Sequence, residues 1–314
     1  MNSVDQRATI RRSIAVIGVG QIGSTFAYKL ARAGHDVTVI ARPGSLRLTQ
    51  LRRDNGIVLK TGDRAEMRVG DELDEQTAYD LVVVTTLAHQ AESLLPALAR
   101  SKAQCIHFMS VNFNPERFQD AIGKKRCTFG MPFVMASLDR EGKLNSRIGS
   151  RPKTLHGDQR WVDLFNGGGV PSAFEPDMLL WLRCHAPLTV AMESISVAGQ
   201  RRGAGASWTE AMVVARGLRG GFAIVKRLGY RLYPRPKSVI ASFPTFVIAG
   251  TLWLVSRIAS FRDLLATGMS ESRALADSIV AAAAKAKPAL PAAVQAVLAM
   301  KPSEERGNSA VIIC

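Results

Sequence analysis

Gly18, Gly20 and Gly23 form a G-x-G-x-x-G set, and the residues around them decide what it can do. Before it runs Ile14-Ala15-Val16-Ile17, apolar and suited to a buried strand. After it, Ser24 to Ala33 read as a helix stopping at Gly34, and Asp36-Val37-Thr38-Val39-Ile40 as a second strand. In that setting Gly18 permits the tight turn, Gly20 lets a pyrophosphate reach the backbone, and Gly23 lets helix and strand pack closely. The phosphates would sit on the N–H groups around Gly20, Gln21, Ile22 and Gly23, at the helix N-terminus.

The end of the second strand selects the dinucleotide. An NAD site places an acid there for the ribose 2′-OH, whereas a 2′-phosphate wants a cation. Here the strand runs into Ile40-Ala41-Arg42-Pro43-Gly44-Ser45, with Arg47 just behind and no acid at the tip. Arg42 offers a fork for phosphate and Ser45 a hydroxyl, so NADP(H) is the expected cofactor. The competing reading makes Arg42 and Arg47 ordinary solvated charges.

Hydride reduction of a C=O or C=N also needs a proton donor and a group to steady charge. His185 is the candidate donor, with Arg183 beside it to take a carboxylate. Leu182, His185, Ala186, Thr189 and Glu193 fall along one helical stripe, so His185 and Glu193 share a face. His89 and Thr86 lie at the end of another strand, near the expected nicotinamide. Asn112 ends the next strand and is expected to hold the nicotinamide ribose or the substrate. The bland alternative for His185 is a ring packed beside Trp181.

Length and composition bound the rest. The chain has 314 residues, 47% of them hydrophobic, enough for two domains. Its net charge of +15 favours anionic ligands. Basic residues are spread along the chain with no nucleic-acid module, so nucleic acid is not an expected partner. Cys105, Cys127, Cys184 and Cys314 are scattered without metal spacing, implying free thiols, no metal and a reducing, cytoplasmic setting. Met1–Arg12 lacks the apolar core of a signal peptide. Ser238–Ser256 is uncharged and close to spanning length. Pro244 and Gly250 favour a buried helix or a dimer face over a membrane contact, and a homodimer is the expected assembly.

Strands alternate with helical patterns in the first half, which predicts a parallel sheet with crossover helices. The strands are expected at 57–60, 65–69, 79–86, 104–110, 128–136 and 145–150, with 151–155 as an extension of that last region. Helices are expected at 46–54, 90–100 and 115–122, and Asn166–Val170 suits a turn. Beyond residue 176 the pattern turns helical, over 177–198, 208–228, 240–257 and 270–285. The reading is therefore α/β: an N-terminal Rossmann domain over 1–170, an all-α C-terminal domain over 171–303 for substrate and dimerisation, and a tail over 304–314.

Three segments resemble the ketopantoate reductase family: the fingerprint with Arg42, the strand L-V-V-V-T-T-L-A-H-Q at 81–90, and M-S-V-N-F-N at 109–114. A-P-L-T at 186–189 is similar to the family's N-P-L-T. The resemblance implies an arrangement like that of 6-phosphogluconate dehydrogenase, NADP, and a small anionic substrate. It also marks departures. The family's first lysine falls on Leu87 and its catalytic lysine on Met178. Its helix asparagines fall on Leu182 and Ala186, and a motif glycine on Phe113. No Lys occurs between Lys153 and Lys226. The resemblance thus implies a cofactor half kept and a chemistry half changed. Two functions follow: a reductase of another small carbonyl or imine, or a non-catalytic NADP(H)-binding sensor or interaction protein.

Overall fold

The computed structural model describes residues 10–266 and 269–302. Contacts divide the chain into two compact units, one of 1–110 with 116–178 and one of 111–115 with 179–314. The expected tail over 304–314, including Cys314, and most of Met1–Arg12 lie outside the described residues.

The first unit opens with β1 (Ser13–Ile17), α1 (Gln21–Arg32), β2 (Asp36–Ile40) and α2 (Leu46–Asp54). Next come β3 (Gly56–Val58), β4 (Arg64–Glu66), β5 (Arg68–Gly70), β6 (Leu81–Val84), α3 (Ala88–Ala91) and α4 (Leu95–Arg100). It continues with β7 (Ile106–Met109), α5 (Glu116–Ile122), β8 (Cys127–Met131), β9 (Met135–Leu138), β10 (Leu144–Arg147), β11 (Thr154–His156), α6 (Gln159–Gly167) and β12 (Ser172–Phe174). Eight strands form one sheet in the order β12-β11-β8-β7-β6-β1-β2-β5. Its central strands are buried on both faces: Ile14–Val16, Leu81–Val84 and Phe108 are fully enclosed. That burial is why they read as unbroken apolar runs rather than alternating ones.

The sequence reading needs several corrections here. The sheet is not wholly parallel, because β11 runs antiparallel to β8. The strand expected over 128–136 is two strands, β8 in the main sheet and β9 in a hairpin with β10. Pro132 stands between them, and a proline has no N–H for a ladder. The piece at 65–69 likewise splits, β4 pairing with β3 and β5 with the edge of β2. The helix expected over 90–100 is α3, a 3₁₀ turn and α4, since Pro96 enters at the first turn of α4. A proline deeper in a helix would clash with the carbonyl four residues back. α6 and β12 were not anticipated, and β12 carries the sheet past residue 170.

The second unit holds α7 (Met178–Arg202), α8 (Trp208–Arg227), α9 (Arg235–Ser242), α10 (Thr245–Val255), α11 (Ala259–Leu265), α12 (Met269–Ala283) and α13 (Pro291–Met300). Gly217, Gly220 and Gly221 line α8 where neighbours come close. A Cβ on Gly220 would sit 2.8 Å from the Ala293 carbonyl oxygen of α13, and one on Gly221 2.7 Å from Pro187 of α7. The helix expected over 240–257 is broken. Phe243 is extended (φ −67°, ψ 148°) because it precedes Pro244, and α9 and α10 meet at 112°. Among the described residues no single helix is long and apolar enough to cross a membrane.

Candidate dinucleotide site

β1 ends in the glycine turn, and each of its glycines stands in a different environment. Gly18 has φ +88°, and a Cβ there would lie 2.6 Å from Cγ2 of Thr86. Gly23 would press a Cβ onto the Gly18 carbonyl oxygen and, at 2.5 Å, onto Oγ1 of Thr85. Gly20 caps α1 in extended geometry, and a Cβ on it meets nothing within 4 Å. Space is therefore open at Gly20 alone of the three, where a pyrophosphate must approach. The first turn of α1 contains no acid to compete for its N–H groups.

The turn is held from several sides. Gly18 N–H donates to the Ile40 carbonyl (3.2 Å), and Thr85 Oγ1 donates to the Gly18 carbonyl (2.6 Å). Ser24 Oγ donates to the Val19 carbonyl (3.1 Å). Arg47, read from sequence as a second cation for the cofactor or a solvated charge, is neither. It is buried, with Nε donating to the Val19 carbonyl (3.0 Å) and Nη2 to Ser24 Oγ (2.9 Å). Its Nη1 donates to the Gly142 carbonyl (2.9 Å) in the β9–β10 hairpin. Burial pulls its pKa down to about 10, so the guanidinium remains charged at neutral pH beneath the turn. Its apolar stem in α2 gave no sign of this, because only tertiary contacts aim it inward. Arg47→Met is expected to weaken dinucleotide binding more than tenfold, since two carbonyls lose charge-assisted donors of roughly 1.5–3 kcal/mol each. Calorimetric titration with NADPH, alongside circular dichroism, checks this.

Arg42 differs from Arg47 in every respect. It is exposed at the end of β2, and its side chain has no ion-pair or hydrogen-bond partner among the described residues. Ser45 spends its hydroxyl capping α2, accepting from Leu48 N–H. Thr86 lies beside Gly18 with a buried Oγ1 that has no partner. Open backbone, unpaired cation and orphaned hydroxyl fit an anionic dinucleotide, so Gly18, Gly20, Gln21, Ile22, Gly23, Arg42 and Thr86 are the residues that would hold it.

The remaining expected site residues are dispersed. His89 is exposed on α3. Asn112 follows β7 within the 111–115 stretch that packs with the helical unit, where Asn114 Nδ2 donates to Ser278 Oγ of α12 (3.3 Å). Its Oδ1 accepts from Asn114 N–H, and its Nδ2 is buried without a partner. Arg183 is buried with its guanidinium 4.0 Å over the Tyr230 ring, rather than standing open for a carboxylate. His185 stacks on Trp181 at 4.4 Å. Burial first, then the charge of Lys237, pushes its pKa down to about 3. The imidazolium expected near neutral pH is therefore absent, because the ring is desolvated and has a cation as neighbour. Met178, Leu182 and Ala186 are all buried.

Sequence reading missed two features of the helical unit. Lys237 is buried on α9 and reaches back to α7, donating to the Trp181 carbonyl (2.8 Å) with Nζ 3.8 Å from that ring's centroid. Glu193, buried on α7, faces the charge of half-buried Glu271 on α12. Burial, then Glu271's charge, raises the Glu193 pKa, and burial raises that of Glu271. Glu193 Oε2 has no hydrogen-bond partner. The expected shared face of His185 and Glu193 was the one sequence signal toward it. Among the described residues no cluster could hold a metal ion.

Residues 14–153 match the family model of ketopantoate reductase PanE/ApbA. The match runs from β1 to β10 of the first unit. Solved structures similar to the whole chain carry the same fold. The PanE/ApbA family ketopantoate reductase from Ralstonia eutropha JMP134 is 19% identical with a TM-score of 0.69, covering 91% of this chain and 96% of its own. The probable 2-dehydropantoate 2-reductase from Bacillus subtilis is 18% identical with a TM-score of 0.61, covering 92% and 98%. D-mandelate dehydrogenase in complex with NADH is 13% identical with a TM-score of 0.69, covering 92% and 97%. No curated protein sequence matches the chain.

Proposed function

We propose that the chain is an NADPH-dependent oxidoreductase reducing a small anionic carbonyl or imine compound other than ketopantoate, as a cytoplasmic homodimer. The observation that carries the cofactor choice is Arg42, exposed and unpaired at the end of β2 beside an open glycine turn. A neighbour of the same fold binds NADH, so the fold leaves the nucleotide open and the β2 tip decides it. The bound cofactor supplies the hydride, and the chain's own residues supply position and a proton. Asn112, with its unpartnered Nδ2, holds the nicotinamide ribose or substrate. His89, exposed on α3, is the substrate-side residue carried from the sequence. The proton donor carried from the sequence is His185, whose ring burial and the charge of Lys237 keep neutral at pH 7.

Titration calorimetry tests the cofactor: Arg42→Ala weakens NADPH more than tenfold and leaves NADH nearly unchanged, since a lost charge-assisted bond is worth roughly 1.5–3 kcal/mol. Equal affinities of the unaltered chain for both nucleotides overturn the NADPH assignment. An NADPH-oxidation panel of 2-oxo acids, ketones, imines and ketopantoate tests the chemistry. For the substrate that turns over, His185→Ala lowers kcat by about 10²–10⁴ at unchanged NADPH affinity, and an unchanged kcat removes His185 as the donor.

A second reading has its own support. The positions to which the resemblance assigns lysine and asparagines, Met178, Leu182 and Ala186, are sealed in apolar packing. Tight NADPH binding with no turnover across the panel favours a non-catalytic sensor or interaction protein.

A further inference from the structure

The bend between α9 and α10 leaves an apolar face uncovered. One side of α10 is buried through Ile248, Ala249 and Leu252. Its opposite side exposes Phe246 and Leu254 at 62% and 61%, and Val239, Phe243 and Ile258 extend the surface along the chain. Trp208 continues it laterally, since its ring lies 4.0 Å from where a Cβ on Gly250 would sit. Isolated exposed apolar side chains are ordinary, but a contiguous set marks an interaction surface.

Charge identifies what covers it. Between Glu210 and Asp263 stand nine Lys and Arg and no Asp or Glu. Of these, Arg219 donates to the Phe243 carbonyl at the α9–α10 corner, and Arg257 lies over the Trp253 ring at 3.4 Å, next to Ile258. Arg235 opens α9 one turn before Val239, on the same side. An apolar surface flanked by cations and aromatics, on a stretch of chain without acids, is complementary to an anionic interface. It is not complementary to itself: a second copy docked by the same face would set arginine against arginine. α10 has 11 residues and one buried side, so it lies on a bilayer rather than crossing it.

We propose that the α9–α10 corner docks the protein peripherally on anionic membrane surfaces, with Phe243, Phe246 and Leu254 entering the interfacial layer and Arg219, Arg235 and Arg257 meeting phosphate headgroups. This stands apart from the cofactor assignment, because a soluble reductase and a membrane-docked one bind NADPH alike.

The test is co-sedimentation of the full chain with phosphatidylcholine vesicles containing phosphatidylglycerol or none, at about 0.15 M salt. The expected result is binding to the anionic vesicles only. Phe246→Asp with Leu254→Asp lowers it at least tenfold, and Arg235→Glu lowers it by a smaller factor. Circular dichroism and NADPH titration confirm that each variant is folded. Three results overturn the proposal: no sedimentation with anionic vesicles, equal binding by the double aspartate variant, or equal binding to neutral vesicles. A concentration-dependent dimer that the double variant dissolves, without vesicle binding, assigns the face to a second copy instead.

Discussion

Gly20→Val is expected to abolish dinucleotide binding and leave the chain folded. A Cβ on Gly20 meets nothing within 4 Å, so the fold has room where the side chain begins. The volume it fills is the approach of the pyrophosphate to the N–H groups opening α1. Loss of two or more charge-assisted bonds of roughly 1.5–3 kcal/mol each puts the drop in affinity at two orders of magnitude or more. Gly23→Val provides the contrast. Its side chain collides with the Gly18 carbonyl and Thr85 Oγ1, and such overpacking costs about 1–3 kcal/mol of stability. Thermal unfolding and NADPH titration of both variants separate the roles. Unimpaired binding by Gly20→Val would mean that the glycines only make a turn.

The second large effect is a stability profile with two independent limbs. His107 Nε2 and His156 Nδ1 share a hydrogen bond of 2.9 Å inside the sheet, continued to Thr128 and Ser172. Burial pushes His156 down to about 3 and His107 well below its ordinary value. Both bind a proton in the unfolded chain below about 6.5 but not in the fold, so their contribution is present above pH 6.5 and is lost as pH falls toward 3. Each group costs about 1.4 kcal/mol per pH unit in its window. Glu193 and Glu271 act with the opposite sign. Their raised pKa values keep protons in the fold that the unfolded chain has released above about 4.5. Their contribution is full below pH 4.5 and is lost as pH rises through the raised values.

From pH 4.5 to 6.5 the two sets offset each other. Below 4.5 the histidines act without that compensation, and above 6.5 the carboxyls do, Glu271 up to about 7 and Glu193 up to about 9. Stability is therefore expected to fall on both sides of a mildly acidic maximum. Midpoints of thermal unfolding measured from pH 4 to 9 check this. Glu193→Gln should flatten the limb above pH 7 and leave the acid limb, and His156→Gln should soften only the acid limb. A Glu193→Gln profile as steep above pH 7 as that of the unaltered chain would show that the pair is ionised in the fold.

The amino-acid sequence by itself determined the cofactor half. Gly18, Gly20, Gly23, the run Ile14–Ile17 and the acid-free tip at Arg42 are local in the chain. The physics that reads them is equally local: a positive φ, a close helix–strand approach, an unpaired cation. The Rossmann-then-helical order was legible for the same reason, since periodicity is set by near neighbours along the chain. Tertiary structure decided the rest. Arg42 and Arg47 look alike in sequence, yet only the fold sends one to solvent and the other beneath the glycine turn, because Val19, Ser24 and Gly142 converge there. Lys237 lies 56 residues from the Trp181 carbonyl it bonds, so counting lysines near α7 could not find it. His185 and Glu193 both fall in α7 as the sequence indicated, but their protonation depends on Trp181, Lys237 and Glu271. Burial and neighbouring charge fix a side chain's acidity, and neither is a property of its own segment of chain.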